Sequence, residues 1–257
     1  YEARCPAHDD RHASLSVSRG DDGRVLLHCH AGCSPIEVCR AMGLKLSELF
    51  PPKQDDRARI VETYPYRDAT GALRFEVVRK SDKTFPQRMP DGHGGWTWSL
   101  QALQGKRPLY RLPELLAADA ESFIFQPEGE KDVHNIEREG GIATTCAGGA
   151  SKSNQRPKWP LTDLEPLHGR HVVLMPDNDD AGRAHARGIA HELHGKAASV
   201  RVLDLAQHWP EMPVKGDVSD WLAAEGDLEA LIRLAEATRE YEPAPAQEDG
   251  GAAGDDA

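Results

Sequence analysis

Polar and apolar residues alternate along the first fifty positions in the manner of half-buried strands. Residues 14–18 read Ser-Leu-Ser-Val-Ser, residues 25–28 form a second apolar run, and a turn rich in Gly and Asp lies between them. This pattern predicts a β-hairpin. The apolar positions of residues 35–49 predict one or two short helices after it. We therefore expect a compact first domain over 1–50, and a charged linker over 51–60 that opens with two prolines.

The next segment, residues 61–119, also has a strand-like pattern. Asp68-Ala69-Thr70-Gly71 separates two alternating runs, which is typical of a hairpin turn. A Gly-rich loop then precedes a further strand-like run at 96–100. The segment is predicted to form a small antiparallel sheet, followed by a helix over 109–118.

From residue 120 the pattern changes to strands that alternate with helices. The apolar runs predict strands at 123–125, 142–145, 171–175 and 199–205, and the helical spacing predicts helices at 131–139 and 181–193. Such alternation is typical of a mostly parallel sheet. We predict an α/β domain over 120–235 and a disordered acidic tail over 236–257. The fold class expected for the whole chain is α+β with several domains.

Composition excludes some classes of protein. The 257 residues are 39% hydrophobic and 28% charged, and no apolar run approaches the ~20 residues that a membrane span needs. The five cysteines are an odd number, and two of them have metal-like spacing, which argues against a secreted disulfide scaffold. We expect a protein of the reducing cytoplasm with no membrane partner. Because residue 1 is Tyr rather than Met, we also expect a fragment or processed form of a longer protein.

The net charge of −11 is unevenly distributed. Residues 240–257 carry six acids and no Lys or Arg, whereas residues 67–111 carry nine basic residues against four acids. The second segment therefore offers a basic surface for a polyanion, and the overall negative charge does not exclude nucleic-acid binding. The basic candidates for contacts with nucleic acid or nucleotide are Arg79, Lys80, Lys83, Arg88 and Lys152.

Cysteine and histidine residues near the start form two short-spaced pairs. Cys5 and His8 precede the predicted hairpin, and Cys29 and Cys33 follow it. Zinc takes four N or S ligands in a tetrahedron, and a small module with little core needs such a crosslink to fold. The alternative is that these are ordinary buried cysteines and surface histidines, and the pairing favours zinc. Substitute ligands are available if one assignment fails, namely His28, His30 and Cys39.

Three acidic clusters follow in order along the second half of the chain. They are Glu128-Gly129-Glu130-Lys131-Asp132, Asp177-Asn178-Asp179-Asp180 and Asp217-Val218-Ser219-Asp220. The first two each come directly after a predicted strand, so parallel pairing would place their carboxylates at one edge of the sheet. Carboxylates so arranged bind magnesium and serve chemistry on phosphates. A single cluster would be equally well explained as a helix cap or a solvated surface.

The two regions resemble parts of one family. Cys5-Pro6-x-His8, the 14–17 strand and the knuckle formed by Cys29 and Cys33 resemble the zinc ribbon of DnaG-type DNA primases, which takes part in binding single-stranded template. Residues 120–225 resemble the TOPRIM domain that these primases share with topoisomerases and some nucleases. The motifs that carry this second resemblance are Glu128-Gly129-x-x-Asp132, Gly148-Gly149, Asp177-x-Asp179-x-Ala181-Gly182-Arg183 and Asp217-x-x-Asp220.

The resemblance implies roles for these acids. Glu128 is the acid/base or metal-positioning carboxylate, Asp177 and Asp179 bind Mg²⁺ or Mn²⁺, and Asp217 supports a second ion. Asp132 is an outer partner of the metal site, and Glu130 and Asp180 rank lower. The four catalytic and magnesium-binding candidates are thus Glu128, Asp177, Asp179 and Asp217, beside a structural zinc on Cys5, His8, Cys29 and Cys33.

A zinc ribbon, a basic β-rich segment and a TOPRIM domain in this order resemble a primase core. The implied activity is synthesis of short RNA primers from ribonucleoside triphosphates on single-stranded DNA. Only residues 34–127 separate Cys33 from Glu128, and no helicase-binding domain follows, so the chain looks more like primases of phages, plasmids and integrated elements. A replicative helicase, fused or separate, is the expected partner. The alternatives are a TOPRIM nuclease or a non-catalytic zinc-ribbon module that binds DNA; a topoisomerase, which needs a nucleophilic tyrosine and a larger clamp, fits less well.

Two further patterns have competing interpretations. Gly148 to Ser153 is similar to a phosphate loop but lacks the Gly-x-x-x-x-Gly-Lys-Ser/Thr spacing, so an ATPase site is rejected. Trp96 and Trp98 alternate close to basic residues and could stack on the bases of a single strand, although such alternation is more often a sheet face.

Overall fold

The structure is a computed structural model, and it describes residues 1–21, 23–50, 58–151, 155–224 and 226–243. Two compact units divide the chain, Tyr1–Ala58 and Arg59–Ala257. None of the helices in the described ranges is long and apolar enough to cross a membrane.

The first unit contains a three-stranded antiparallel sheet and two short helical segments. The strands, in the order β1-β2-β3, are Glu2–Ala3, Leu15–Arg19 and Val25–Cys29. Helix α1, Pro35–Ala41, begins with a reciprocal capping box between Ser34 and Glu37, and a 3₁₀ turn, Leu46–Leu49, follows. The core of the unit is only a few side chains, namely Cys5, Leu15, Cys29 and Val38. So small an apolar core favours a metal crosslink.

The second unit begins with a four-stranded antiparallel sheet in the order β4-β5-β6-β7. The strands are Ile60–Arg67, Leu73–Lys80, Gln87–Pro90 and Trp96–Thr97. The turn of the β4–β5 hairpin is closed by Asp68, whose side chain accepts hydrogen bonds from the backbone N–H groups of Thr70 and Ala72 at 3.0 and 3.1 Å. Gly71 takes a φ of +86° there, which a side chain would disfavour.

A four-stranded parallel sheet forms the centre of the second unit. Its strands are β8 (Phe123–Pro127), β9 (Ile142–Ala143), β10 (His171–Met175) and β11 (Ser199–Val202), in the order β11-β10-β8-β9. The helices are α2 (Leu112–Ala117), α3 (Glu130–Arg138), α4 (Asp180–Leu193), α5 (Val218–Ala223) and α6 (Leu228–Ala237), with 3₁₀ turns at Trp159–Leu161, Glu165–Leu167 and Leu205–Gln207. The expected mixture of antiparallel and mostly parallel sheets is confirmed.

Both faces of the parallel sheet are buried. Successive residues of a strand point to opposite sides, and on each side they pack in an apolar cluster. On β10, Val172 and Leu174 pack in one apolar cluster with α2 and α4. Val173 and Met175 pack in the other cluster with α3, α6 and the β4–β5 hairpin, which contributes Tyr66. The antiparallel sheet is therefore part of the same folded unit as the parallel sheet.

Several element boundaries differ from those that the residue pattern predicts. Helix α2 begins at Leu112 rather than 109, because Arg111 adopts a left-handed conformation with φ +58° and the N–H of Tyr110 donates to Thr145 O at 3.0 Å. Strand β9 covers only two of the four expected residues. Helices α5 and α6, which begin after the capping aspartates Asp217 and Asp227, were not predicted: α5 has only six residues, and the amphipathic pattern of α6 was overlooked.

The segments predicted as linker and tail are described only in part. Ile60 already belongs to β4, and residues 51–57 lie outside the described residues. At the other end, α6 extends to Ala237, and Glu240 forms a bridge with Arg201 on β11. The N–H of Tyr241 donates to Val200 O at 2.7 Å. Glu240 and Tyr241 thus contact the edge strand β11 of the parallel sheet, and 244–257 lie outside the described residues.

Candidate functional site

The four predicted zinc ligands converge in the first unit. The ligand atoms of Cys5, His8, Cys29 and Cys33 all lie within 4.8 Å of one another, and within the described ranges this group alone has that geometry. His8 Nδ1 is 3.2 Å from the sulfur of Cys33 and 3.9 Å from that of Cys29. The donor set of three sulfurs and one nitrogen is a zinc set, so this cluster could bind zinc.

Charge and hydrogen bonding at the cluster also suit a cation. Burial alone would raise the pKa of Cys29, but hydrogen bonds from the backbone of Cys33 and Ala31 lower it to about 6. For Cys33 the pKa rises to about 11 because of burial and because the other two thiols crowd it. A bound cation relieves that repulsion between thiolates. The substitute ligands lie elsewhere: Cys39 is buried as a free thiol, and His30 hydrogen-bonds Ser16 at 3.0 Å.

Asp10 supports this cluster, and sequence reasoning missed it. Its Oδ1 lies 3.7 Å from His8 Nε2, and its Oδ2 accepts a hydrogen bond from the backbone N–H of Cys5 at 2.6 Å. Zinc-binding histidines commonly place their second ring nitrogen against such a carboxylate. The hydroxyl of Ser14 also donates to Asp10, at 2.6 Å. The signal in the sequence was an acid two residues beyond a candidate ligand.

In the second unit, strand register brings the first two acidic clusters together. Strands β8 and β10 pair in parallel so that Pro127 lies opposite Met175. The residues that follow, Glu128 and Asp177, therefore leave the sheet at the same edge. Glu128 Oε1 accepts a hydrogen bond from the backbone N–H of Asp177 at 3.1 Å, and Oε2 accepts one from Ala150 N–H at 3.2 Å.

The glycine of the Asp-x-Asp-x-Ala-Gly-Arg motif permits this approach. A Cβ atom on Gly182 would lie 2.2 Å from Glu128 Oε1 and 2.9 Å from the carbonyl oxygen of Asp177. Any side chain there would displace Glu128. Asp179 is the N-cap of α4, and its side chain accepts a hydrogen bond from Gly182 N–H at 2.8 Å. The start of α4 is thus fitted closely around the Glu128 carboxylate.

Asp177 lies at the electrostatic centre of the acids. Burial raises its pKa to about 8, together with the negative charges of Glu128, Asp132, Asp217 and Asp179. Burial also raises the pKa of Glu128, where the Asp179 charge adds to the shift and two backbone N–H groups oppose it. No described residue places an ammonium or guanidinium group within 4.0 Å of either carboxylate. Over the part of the chain that the structure describes, the pair has no counter-charge, and a divalent cation would supply one.

The third cluster packs against α3 beside this pair. Asp217 caps α5, and its Oδ2 lies 2.9 Å from Lys131 Nζ. Burial raises the pKa of Asp132 to about 7, with the Asp217 charge second, while a hydrogen bond from the Ser219 hydroxyl and the charge of Lys131 oppose the rise. Asn135 donates to Ser219 Oγ at 2.5 Å and holds it in place.

The loop before Asp217 is tied to the middle residue of Asp177-Asn178-Asp179. The Asn178 side chain donates to the carbonyl oxygens of Met212 and Pro213 at 3.1 and 3.0 Å. Its backbone N–H and C=O pair with Gly216 and Lys215 at 2.9 and 3.0 Å. Arg183 donates to Asn178 Oδ1 at 2.7 Å and is itself paired with Asp204. Sequence reasoning missed Asn178, although its place between two candidate ligands was a signal.

A cavity of about 1070 Å³ opens beside the acids within the second unit. One wall carries Glu128, Asp132 and Asp177, and the glycines 148 and 149. The other walls carry two cationic side chains, Arg107 and Lys158, and exposed apolar side chains, Phe85, Trp98 and Leu161. The cavity therefore combines acids, cations and an aromatic surface, and its volume is sufficient for a nucleotide.

The basic candidates occupy different environments. Arg88 is paired with Glu76 at 2.8 Å and stacks on Trp96, with its guanidinium carbon 4.0 Å from the ring centroid. Lys80 lies 5.2 Å from the Trp98 ring, and Arg79 lies on β5 near Tyr64. Lys83 is exposed in the β5–β6 turn with φ +63°. Lys152 lies outside the described residues.

Glu130, which the sequence ranked below the other acids, is buried. The hydroxyl of Tyr66 donates to Glu130 Oε1 at 2.7 Å, and burial raises the pKa of this carboxyl group. The contact joins the β4–β5 hairpin to the first turn of α3. Glu130 thus fixes the helix that carries Lys131 and Asp132.

No protein-family model matches this chain, and no curated protein matches it. Solved structures do match. The primase fragment of the bacteriophage T7 primase-helicase protein is 18% identical, with a TM-score of 0.40, over 91% of this chain and 98% of that chain. A second match comes from the complex of T7 lagging-strand DNA polymerase with primase domains of two gp4 subunits bound to an RNA/DNA hybrid and dTTP. It is 18% identical, with a TM-score of 0.40, over 70% of this chain and 78% of that chain.

Both matched structures contain primase domains of a phage. At this identity and TM-score neither match assigns a fold or an activity to this chain.

Proposed function

We propose that this chain is the core of a DnaG-type DNA primase, which joins ribonucleoside triphosphates into short RNA primers on single-stranded DNA. The observation that carries the proposal is the pair Glu128 and Asp177, which is partly buried at the carboxyl edge of a parallel sheet, lines the cavity and has no cationic partner among the described residues. The zinc-type cluster in the same chain supports it, because a TOPRIM nuclease has no need of a ribbon that binds template.

The donor chemistry of the acids fits a divalent cation, although within the described ranges no three of these carboxyl groups bring their oxygens within 4.8 Å of one another. Oxygen donors are what Mg²⁺ and Mn²⁺ prefer, and the raised pKa of Asp177 arises partly from four neighbouring carboxylates that a cation would neutralise. Asp177, Asp179 and Glu128 would hold the ion. The resemblance assigns Asp217 to a second ion, but the ammonium group of Lys131 already lies 2.9 Å from that carboxylate. Bound there, the metal supplies stabilisation of negative charge on the attacking and departing oxygens.

The chain's own residues carry out the remaining tasks. Glu128, which lines the cavity and whose pKa is raised by burial, is placed to accept the proton of the attacking 3′-hydroxyl. Arg107 and Lys158 on the cavity wall bind the triphosphate. Trp98 and Phe85, each 52% exposed, offer stacking surfaces for a base. Lys80 and Lys83 extend the basic surface for the template, and Lys152 and Arg79 remain candidates for the same contacts.

Primer synthesis on single-stranded DNA tests this proposal. The chain is incubated with labelled ribonucleoside triphosphates and Mg²⁺ or Mn²⁺, beside Asp177→Asn and a matched control, Glu139→Gln, an exposed acid at the end of α3. We expect short RNA products from wild type and the control, and none from Asp177→Asn. Metal-dependent shortening of the template would instead indicate a nuclease. Binding of single-stranded DNA without either reaction would indicate a non-catalytic module of a primase-helicase.

A further inference from the structure

Lys131 lies between the two acids that face each other from different helices. Its ammonium nitrogen is 2.9 Å from Asp217 Oδ2 and 3.8 Å from Asp132 Oδ1. Asp132 belongs to α3 and Asp217 caps α5, so the lysine bridges two elements that are distant in the chain. A divalent cation shared by these two acids would have to occupy the same region.

The other contacts of the two acids leave the lysine as their counter-charge. Asp217 Oδ1 accepts a hydrogen bond from Asp220 N–H at 3.0 Å. Asp132 Oδ1 accepts a hydrogen bond from the Ser219 hydroxyl, which Asn135 holds from the other side. Both donors are neutral. Among the described residues, Lys131 is the cation within 4.0 Å of either carboxylate.

The Glu128–Asp177 pair differs in this respect. Within the described ranges, no basic side chain reaches either of its carboxylates within 4.0 Å. The acidic region therefore has two halves: Glu128 and Asp177, which have no protein cation, and Asp132 and Asp217, which share one. A divalent ion entering the second half would meet the positive charge of Lys131. The lysine side chain is 44% exposed, but the carboxylates that it contacts are only 7% and 20% exposed, so like charges a few ångströms apart repel there.

We propose that Lys131 takes the place of a second divalent cation between Asp132 and Asp217, so that the chain binds one such ion on the Asp177 side. The inference rests on the proposed function only in assuming that the Asp177 side binds a divalent cation. Lys131 would then determine how many divalent ions each chain binds. It also predicts that the positive charge at the second position persists when divalent ions are removed.

Mn²⁺ binding to the full chain, with its zinc retained, tests this inference. Bound Mn²⁺ is counted at pH 8 by equilibrium dialysis, and free Mn²⁺ is followed by its electron paramagnetic resonance signal. We expect about one ion for wild type and for Lys131→Arg, which keeps the charge. Lys131→Met should bind a second ion. Its affinity for that second ion should exceed the corresponding affinity of wild type by on the order of 100-fold. Lys131→Met/Asp217→Asn should return to one.

A matched variant separates the site from net charge. Lys106 is exposed in the same unit, and Lys106→Met removes one positive charge away from the acids; it should bind one ion. Two ions on wild type, or one on Lys131→Met, would overturn the inference. Asp177→Asn separates the metal site at Asp177 from the role of Lys131. If wild type binds one ion, Asp177→Asn binds none and Lys131→Met binds one, then the metal site stands and only the role of Lys131 fails. If no variant binds Mn²⁺, the proposed metal site fails with it.

Discussion

Glu128 and Asp177 stand 49 positions apart in the chain, yet Glu128 Oε1 accepts a hydrogen bond from the Asp177 backbone N–H at 3.1 Å. The contact places one carboxylate against the backbone of the residue that carries the other. Gly182 closes the third side, where even a methyl group would collide with Glu128. The two acids are thus held together at the sheet edge, and the first three predictions concern how they are positioned and charged.

The first prediction concerns pH. The pKa of Asp177 is raised to about 8 and that of Asp132 to about 7, both first by burial. The folded protein therefore binds more protons than the unfolded chain, and the stability of the metal-free acidic site falls as pH rises from about 4 to about 8. Thermal unfolding of the second unit should show a Tm that declines across pH 5.5–8 without Mg²⁺ and a larger increase on adding Mg²⁺ at pH 8 than at pH 6.

Asp177→Asn provides the contrast. Because this change removes the group with the larger shift, the metal-free variant should be more stable than wild type at pH 8, and its Tm should respond little to Mg²⁺. A variant that is less stable than wild type at pH 8 would show that the Asp177 carboxylate is not strained by its neighbours.

The second prediction concerns Gly182. In Gly182→Ala the new methyl group would lie 2.2 Å from Glu128 Oε1, so either Glu128 or the start of α4 must move. A displacement near 1 Å at a catalytic group costs on the order of 100-fold in rate, and we expect at least that loss of primer synthesis. Steady-state rates at saturating metal measure it.

Gly188→Ala on the same helix is the control. Its Cβ would meet only the Trp159 side chain, at 3.0 Å and beyond, and alanine favours the helix. It should retain most of the activity. Equal losses in the two variants would mean that the effect comes from α4 in general and not from the contact with Glu128.

The third prediction concerns Asn178 as a positioning residue. Asn178→Ala removes two hydrogen bonds to the loop that leads to Asp217, and the acceptor for Arg183. We expect the Mg²⁺ concentration for half-maximal activity to rise about tenfold, as is typical of partners that orient ligands, with a smaller change in kcat at saturating Mg²⁺. Titration of activity with Mg²⁺ gives both quantities.

Lys215→Gly is the matched change in the same loop. Lys215 has a φ of +64°, which glycine adopts readily, and its backbone N–H bond to Asn178 is kept. This variant should keep the metal dependence of wild type. A fall in kcat alone for Asn178→Ala would contradict a role in orienting the metal ligands.

The fourth prediction concerns zinc. Cys33→Ala removes one of four converging ligands, and the first unit has few other buried side chains, so zinc content should fall from about one per chain to near zero and residues 1–50 should unfold. Cys39→Ala, a buried thiol outside the cluster, should retain zinc. Metal analysis and circular dichroism report the two effects.

Asp10→Asn tests the support of His8. The amide keeps the shape but loses the charge that faces His8 Nε2 at 3.7 Å. Zinc affinity should fall about 10- to 100-fold while stoichiometry at saturating zinc is unchanged. Competition with a chromophoric chelator measures this affinity, and an unchanged affinity would show that the aspartate only closes the local turn.

Local patterns in the sequence predicted the strands and the candidate site residues better than they predicted where each element begins and ends. Strand β10 coincides with the apolar run 171–175, since a strand buried on both faces needs consecutive apolar residues. The ligand pairs around the first hairpin and the acids after β8 and β10 are also local signals, because a turn at a strand end places its own side chains. Helix α5 escaped prediction because it has only six residues and depends on packing against α3, whereas α6 has an amphipathic pattern behind its N-cap Asp227 that the prediction overlooked.

Long-range contacts decided the rest. The sequence alone named Asp132 and Asp217 but could not show that Lys131, 86 positions before Asp217, lies between them. Nor could it show that Asn178 holds the Asp217 loop, or that Glu240 and Tyr241 return to the edge strand. Which acid receives a proton, a lysine or a metal depends on burial and on the charges around it, and these exist only once distant segments pack together.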